Sequence, residues 1–273
     1  MSAFAAARPT LKWAGGKRQL LPELRKALPA KWGHYYEPFI GGGALFFDLR
    51  ASGWAGAATL GDANERLVRM YLGVRGDVDE VIRLLKKTRY AKAFYLRERA
   101  RNPDLFGDDA EIAAWFIYLN KTGFNGLYRV NRKGEFNVPF GRYDNPLICD
   151  EPNLRAASHA LKKTKLVIGD FEKAVKSAEA GDLVYCDPPY VPVSATSDFT
   201  SYTKEKFGPV EQERLRDMAL RLKRLGVHVI LSNADVPFVR KLYKGFNIRS
   251  VSARRNINSK GGSRGAVGEV IIT

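Results

Sequence analysis

Cysteine and histidine are scarce in this chain. Two cysteines, Cys149 and Cys186, and three histidines in 273 residues form no disulfide framework, no zinc-ligand spacing and no metal cluster. No apolar run approaches the ~18 residues that a membrane span needs. Residues 1–10 lack the basic-then-apolar pattern of an export signal, so a reducing cytoplasm is the expected setting. There is no internal repeat and no low-complexity tract. Acidic residues are also short: 29 Asp and Glu stand against 45 Lys and Arg, a net charge of +16 and a pI of about 9.8. Such a field attracts polyanions, and in a cytosolic protein nucleic acid is the leading one; a basic surface can also serve only to prevent aggregation. The distribution favours the first reading. Residues 240–264 hold eight Lys or Arg and no acid, interleaved with Gly, Ser and Asn, as on a surface that follows phosphates.

The rest of the composition is that of a globular chain, 45% hydrophobic and 27% charged, long enough for one large domain or a core with an insertion. A run at 34–39 reads as a strand entering Gly41-Gly42-Gly43, with a helix over 18–28 before it and one over 44–51 after it, the latter with Leu45, Phe46 and Leu49 at helical spacing. A second strand at 57–60 ends at Gly61-Asp62, and Asn64 caps the next helix. Strands at 166–168, 183–185 and 227–231 end at Asp170, Asp187 and Ser232-Asn233. The spacing predicts an amphipathic helix over 209–225 with Pro209 in its first turn, then closing strands at 246–251 and 267–272. Between 77 and 143 the texture changes to three helical patterns (78–87, 91–100 and 109–120) and a loop at 121–143 dense in Asn, Gly, Arg and aromatics. The expected fold class is α/β: a doubly wound, mostly parallel, Rossmann-like sheet from residues 1–72 and 146–273, with a mainly helical insertion at 73–145. In such a sheet all carboxyl ends share one rim, where ligands bind.

The most unusual part of that rim is Asp-Leu-Val-Tyr-Cys-Asp-Pro-Pro-Tyr at 182–190. Proline cannot extend a central strand, so Pro188 and Pro189 hold Asp187 and Tyr190 in a rigid, extended turn. A carboxylate, carbonyls without sheet partners and an aromatic face form a receptor for a flat ring bearing an amino group; a plain Pro-Pro turn with a capping Asp is the bland alternative. Gly41 and Gly43 would let backbone approach a ligand, although strand-to-helix turns also use glycine for packing. The dinucleotide fingerprint is absent, since Phe46 stands where its third glycine would. Asp62 sits where an acid can hold ribose hydroxyls or cap a helix, roles that are compatible. In Lys12-Trp13-Ala14-Gly15-Gly16-Lys17, Trp13 can cover an adenine or a sulfonium or belong to the core. S-adenosylmethionine fits this rim, with its ribose on Asp62 and its amino-acid end on Lys17 and the glycine turn.

Taken together, 12–17, 37–43, 61–64, Asp170-Phe171 and Asp187 to Tyr190 resemble the adenine-N6 DNA methyltransferases. The order of glycine motif, insertion and Asp-Pro-Pro-Tyr is similar to that of the Dam-type class. The likeness continues through 118–131, 134–143 and 254–259 and covers nearly the whole chain. It implies cofactor contacts at Trp13, Lys17, Phe39, Gly41, Gly43, Asp62, Asp170, Phe171 and Asp187, and a guanine contact at Lys12. It implies that Phe124 wedges into the duplex, that Asn125, Leu127, Arg129 and Pro139 read bases, and that Asn131, Asn137, Arg142 and Tyr143 make backbone or supporting contacts. The implied target is GATC. Phe124 stands where the nearest relatives commonly carry Tyr, and keeps the stacking face without the hydroxyl. Independently of any family, Arg suits the O6/N7 edge of guanine and Asn suits adenine. An apolar ring between polar neighbours can fill the gap left by an extruded base, while a solvated hairpin is the alternative for 121–143.

The expected reaction is methyl transfer to N6 of a flipped adenine in double-stranded DNA, by a monomer that needs no metal. Asp187 and the Pro188 carbonyl would accept from the amine, and Tyr190 would stack on the base. Rival readings are the same chemistry on RNA adenine or cytosine N4, a catalytically silent DNA-binding protein, and a small-molecule methyltransferase. Orphan, phage and restriction-modification roles stay open.

Overall fold

The computed structural model describes residues 6–13, 15, 17–190, 207–252 and 268–273. Ala14, Gly16, the motif at 254–259, the 253–264 part of the basic run and Val267 of the last predicted strand lie outside the described residues. The strands are β1 (Tyr35–Glu37), β2 (Ala58–Asp62), β3 (Thr164–Ile168), β4 (Leu183–Cys186), β5 (His228–Ala234), β6 (Ile248–Ser252) and β7 (Gly268–Ile272), in the order β3-β2-β1-β4-β5-β7-β6. The first five in that order run parallel, and β7 is antiparallel to both β5 and β6. This is the predicted doubly wound, mostly parallel α/β sheet.

The helices are α1 (Leu21–Ala27), α2 (Ala44–Ala51), α3 (Glu65–Gly76), α4 (Val78–Lys86), α5 (Lys92–Ala100), α6 (Asp109–Thr122), α7 (Glu151–Leu161), α8 (Phe171–Ala174), α9 (Pro209–Arg224) and α10 (Pro237–Leu242). Side chains alternate across the sheet. Tyr35, Leu183, Tyr185, Ile230 and Ile271 join the core under α1, α2, α3 and α7, whereas Tyr36, Val184, Cys186, Val229, Leu231 and Val270 join the core under α9 and α10. Covering both faces explains why β4 is buried at every position and reads as a continuous apolar run. The first of these cores continues through α3 into α4 and α6, and α6 is buried from Ile112 to Asn120.

Two expectations changed at this level. The helix expected over 18–28 is a single 3-10 turn, Lys17–Gln19, followed by α1, because Pro22 belongs in a first helical turn. Helix α7 was not anticipated. Its start signals are present, since the Asp150 side chain accepts the Asn153 N–H at 3.4 Å and Pro152 sits in the first turn. Its buried face mixes Ala156, Ala157 and Ala160 with the polar Asn153 and Ser158 and has only Leu154 and Leu161 as large apolar residues, a weak periodic signal.

The topology sets the site. Strands β1 and β4 are neighbours, with Tyr35 opposite Leu183 and Tyr36 opposite Val184, so the chain order reverses between them. Beyond β1 the chain enters the glycine turn, and beyond β4 it enters Asp187. No helix among the described residues is long and apolar enough to cross a membrane.

Candidate functional site

The glycine turn is held from three sides. Gly41 and Gly43 have φ of 45° and 68°, where a Cβ is penalised, and Gly43 is the N-cap of α2. The Gly41 N–H donates to Asp62 Oδ2 at 3.1 Å, the Asn64 N–H to Asp62 Oδ1 at 2.9 Å, and the Tyr71 hydroxyl to the Gly41 carbonyl at 2.8 Å. Asp62 therefore staples the turn to the end of β2; the cap of α3 is Asn64, which accepts the Leu67 N–H at 3.3 Å. Burial pushes the Asp62 carboxyl up to about 6 in spite of these N–H bonds. Trp13 covers the turn: a Cβ on Gly41 would stand 2.8 Å from its indole. Its ring also lies 6.3 Å from Phe116 and 6.0 Å from Tyr128, so it is at once a lid and a margin of the core. Alongside, Phe39 stacks on Phe171 at 5.4 Å, and Phe207 meets the two edge-on at 5.5 and 6.0 Å. Asp170 is exposed; it caps α8 by accepting the Glu172 N–H at 2.9 Å and pairs with Arg214 at 3.2 Å.

Past β4, Asp187 Oδ1 accepts the Ser232 hydroxyl at 2.7 Å and lies 3.1 Å from Lys17 Nζ. Lys17 is 6% exposed; it also donates to the Gly15 carbonyl at 2.7 Å and stands 4.3 Å from the centre of the Tyr190 ring. The Tyr190 hydroxyl donates to Glu269 Oε2 at 2.8 Å. Burial raises the Asp187 carboxyl above its ordinary value, with Lys17 and Ser232 pulling it back. Behind it Glu37 is buried and accepts the Tyr35 hydroxyl at 2.8 Å. Burial lifts the Glu37 carboxyl to about 8. The carbonyls after the strand were expected to be free, and that of Pro189 is not: Gln212 Nε2 donates to it at 3.0 Å.

Sequence reasoning put Ser232 on the rim without a role and missed Glu269 and Phe207. A lone acid in the otherwise apolar Gly268-Glu269-Val270-Ile271-Ile272 was the one available hint.

The predicted recognition residues gather on a second surface. Phe124 is 47% exposed, and its N–H donates to the Pro139 carbonyl at 2.9 Å. The next residue, Asn125, is exposed with φ of 53°. Arg129 Nε donates to Asn137 Oδ1 at 2.7 Å and its Nη2 to the Asn137 carbonyl at 3.2 Å, so the exposed guanidinium is held in one orientation. Asn131 closes the hairpin turn: its Oδ1 accepts the N–H groups of Lys133 and Glu135 at 2.9 and 3.0 Å. The Tyr143 hydroxyl donates to the Gly123 carbonyl at 3.0 Å, and its ring lies 4.6 Å from Lys12 Nζ. Lys12, Lys121, Arg142 and Tyr143 line one groove; Leu127, which is half-buried, is not among its lining residues. Among the described residues, no three His, Cys, Asp or Glu side chains gather as metal ligands would.

A family model described as D12 class N6 adenine-specific DNA methyltransferase matches residues 13–257. The type II methyltransferase M1.LlaDCHI of Lactococcus lactis subsp. cremoris is 45% identical over 273 residues, covering 97% of this chain and 95% of that protein. The type II methyltransferase M.MjaIII of Methanocaldococcus jannaschii is 45% identical over 278 residues, covering 94% and 95%. The DNA adenine methylase of Escherichia coli K12 is 35% identical over 269 residues, covering 97% and 94%.

Proposed function

This chain belongs to the D12 class N6 adenine-specific DNA methyltransferase family, and from that premise we propose that it methylates N6 of an adenine flipped out of duplex DNA, within GATC, using S-adenosylmethionine. The observation that carries the proposal is the doubly held Asp187 beside Tyr190, on the same rim as the glycine turn. Both of its described contacts fall on Oδ1, and Oδ2 would accept from an incoming amine. The N6 lone pair is delocalised into the purine, so acceptors at Asp187 and the Pro188 carbonyl would draw on the N6 protons and localise it. Lys17 and Ser232 keep Asp187 oriented, and Glu269 anchors Tyr190, on which the purine would stack. Positioning and electrostatics do this work.

The same rim suits the methyl donor. Trp13, Gly41, Gly43, Asp62, Phe39, Phe171 and Asp170 would hold it, with Lys17 near its amino-acid end; a carboxylate, small turn residues and aromatic faces match a ribose, a backbone-like chain and an adenine. It would supply an electrophilic methyl on a sulfonium. Residues 73–145 act as the recognition unit in this proposal. The exposed ring of Phe124 and the oriented guanidinium of Arg129 support wedging and guanine readout, and the GATC target rests on the reader set Lys12, Asn125, Leu127, Arg129 and Pro139. The proposed setting is the cytoplasm.

The test is to express the full chain in a host whose DNA carries no N6-methyladenine and to map that base genome-wide. Modification of the adenine in GATC is expected. Modified adenines in another sequence would overturn the target alone, and an unmodified genome, from a protein that binds duplex DNA, would overturn the activity.

A further inference from the structure

Asn120, near the end of α6, has no place in the chemistry proposed so far, yet it is 2% exposed and three of its four hydrogen-bonding positions are used. Oδ1 accepts the Lys12 N–H at 2.9 Å, and Nδ2 donates to the carbonyls of Lys12 at 2.8 Å and Gly126 at 2.7 Å. One amide thus fastens the Lys12 segment to the turn that carries Phe124 and Asn125. Close packing reinforces the link. A Cβ on Gly126 would stand 2.6 Å from the Lys12 Cβ, just as one on Gly41 would meet the indole of Trp13 at 2.8 Å. Lys12 and Trp13 are consecutive, so this dipeptide bridges the recognition turn and the glycine turn with a glycine surface against each end.

We infer that Asn120 is a positioning residue that fixes this bridge, and so sets target discrimination through Lys12 and methyl-donor affinity through Trp13. The inference rests on the proposed function, which gives Lys12 a base to read and Trp13 a donor to cover. The Lys12 backbone lies in no strand or helix, so the Asn120 amide takes the place of a sheet partner. Without it, the part-buried backbone groups of Lys12 and the buried Gly126 carbonyl would lose these partners, and the segment would move toward water to satisfy them.

The test compares full-length Asn120→Ala and Asn120→Asp with the unmodified protein; Asp keeps the acceptor for Lys12 and loses both donors. Two quantities are read: the ratio of kcat/KM on a GATC duplex to that on a duplex with one base altered, and the Kd for S-adenosylmethionine without DNA. In both variants the ratio should fall and the Kd should rise, each about fivefold to tenfold for lost buried hydrogen bonds, with thermal unfolding still cooperative. Folded variants that leave both values unchanged overturn the inference, and so does an equal loss of kcat on both duplexes, which marks a scaffold role. Movement of one value alone overturns the bridge. If neither variant folds, Gly126→Ala, which presses on Lys12 from the other side, carries the same expectation for the ratio, and an unchanged ratio there overturns the inference. A wild-type protein that binds the donor but methylates neither duplex would instead remove the proposed function.

Discussion

The Lys17 ammonium lies 3.1 Å from the Asp187 carboxylate, and it is the one Lys or Arg among the described residues that is buried. Such a pair loses hydration on both sides and offsets that loss only through good geometry and further hydrogen bonds, which Gly15 and Ser232 supply. Burial still leaves Asp187 with a raised pKa. Its ionised form is the acceptor, so activity should fall as pH drops through that raised value. Lys17→Met removes a counter-charge that lowers the pKa, and should shift the acid limb of the kcat profile to higher pH. A limb in the same place in both proteins would show that Asp187 does not set it.

Ser232→Ala leaves Asp187 Oδ1 with Lys17 alone among the contacts described. A fall in kcat of about tenfold to a hundredfold is expected, the worth of one hydrogen bond to a charged group, with the Kd for duplex unchanged. Asp187→Ala should abolish methylation and retain duplex binding. Full activity in Asp187→Ala would take that carboxylate out of the chemistry.

Glu37 titrates at about 8 in the folded protein against an ordinary 4.5. Below pH 4.5 the folded and unfolded states both hold the proton. As pH rises from there to about 8, the unfolded chain gives it up first, so this group's contribution to stability is lost across the window and levels off above it. Glu37→Gln should flatten the decline in Tm between pH 5 and 8. An unchanged slope would mean that Glu37 is ionised in the folded protein throughout.

Arg129→Ala should reduce discrimination against a duplex altered at its guanine by about 1–3 kcal/mol, read as the kcat/KM ratio. Asn137→Ala should act in the same direction and by less, because the guanidinium survives and only its orientation is lost. Equal loss on both duplexes would make Arg129 a phosphate contact.

Phe124→Ala should change stability by less than about 0.5 kcal/mol, the usual range for an exposed position, yet reduce methylation at least about tenfold by raising the cost of extruding the base. A 2-aminopurine at the target position should lose its fluorescence rise on binding. Placing the target opposite a mismatch should restore part of the rate, because less unpairing is required. A variant as active as wild type on matched duplex would end the wedge assignment.

Which residues share the rim was legible before any coordinates. Parallel strands all end on one side, and an acid or a glycine directly after an apolar run needs only local pattern to find. Gly41 and Gly43 follow β1, Asp62 ends β2 and Asp187 follows β4, and these three strands are parallel neighbours. Helix α7 escapes because its buried face is alanine and small polar residues with only Leu154 and Leu161 as large apolar markers.

What the linear order determined, then, was the set of strand ends and the chemistry carried on them, since both follow from short-range periodicity and from where proline stops a strand. Tertiary structure alone decided the partners. Glu269 reaches Tyr190 across 79 positions, Ser232 reaches Asp187 across 45, and Asn120 reaches Lys12 across 108. Each of these pairings depends on which strands and helices become neighbours. Hydrogen bonds between residues so far apart leave no local trace in a single sequence, because only burial and topology bring donor and acceptor within reach.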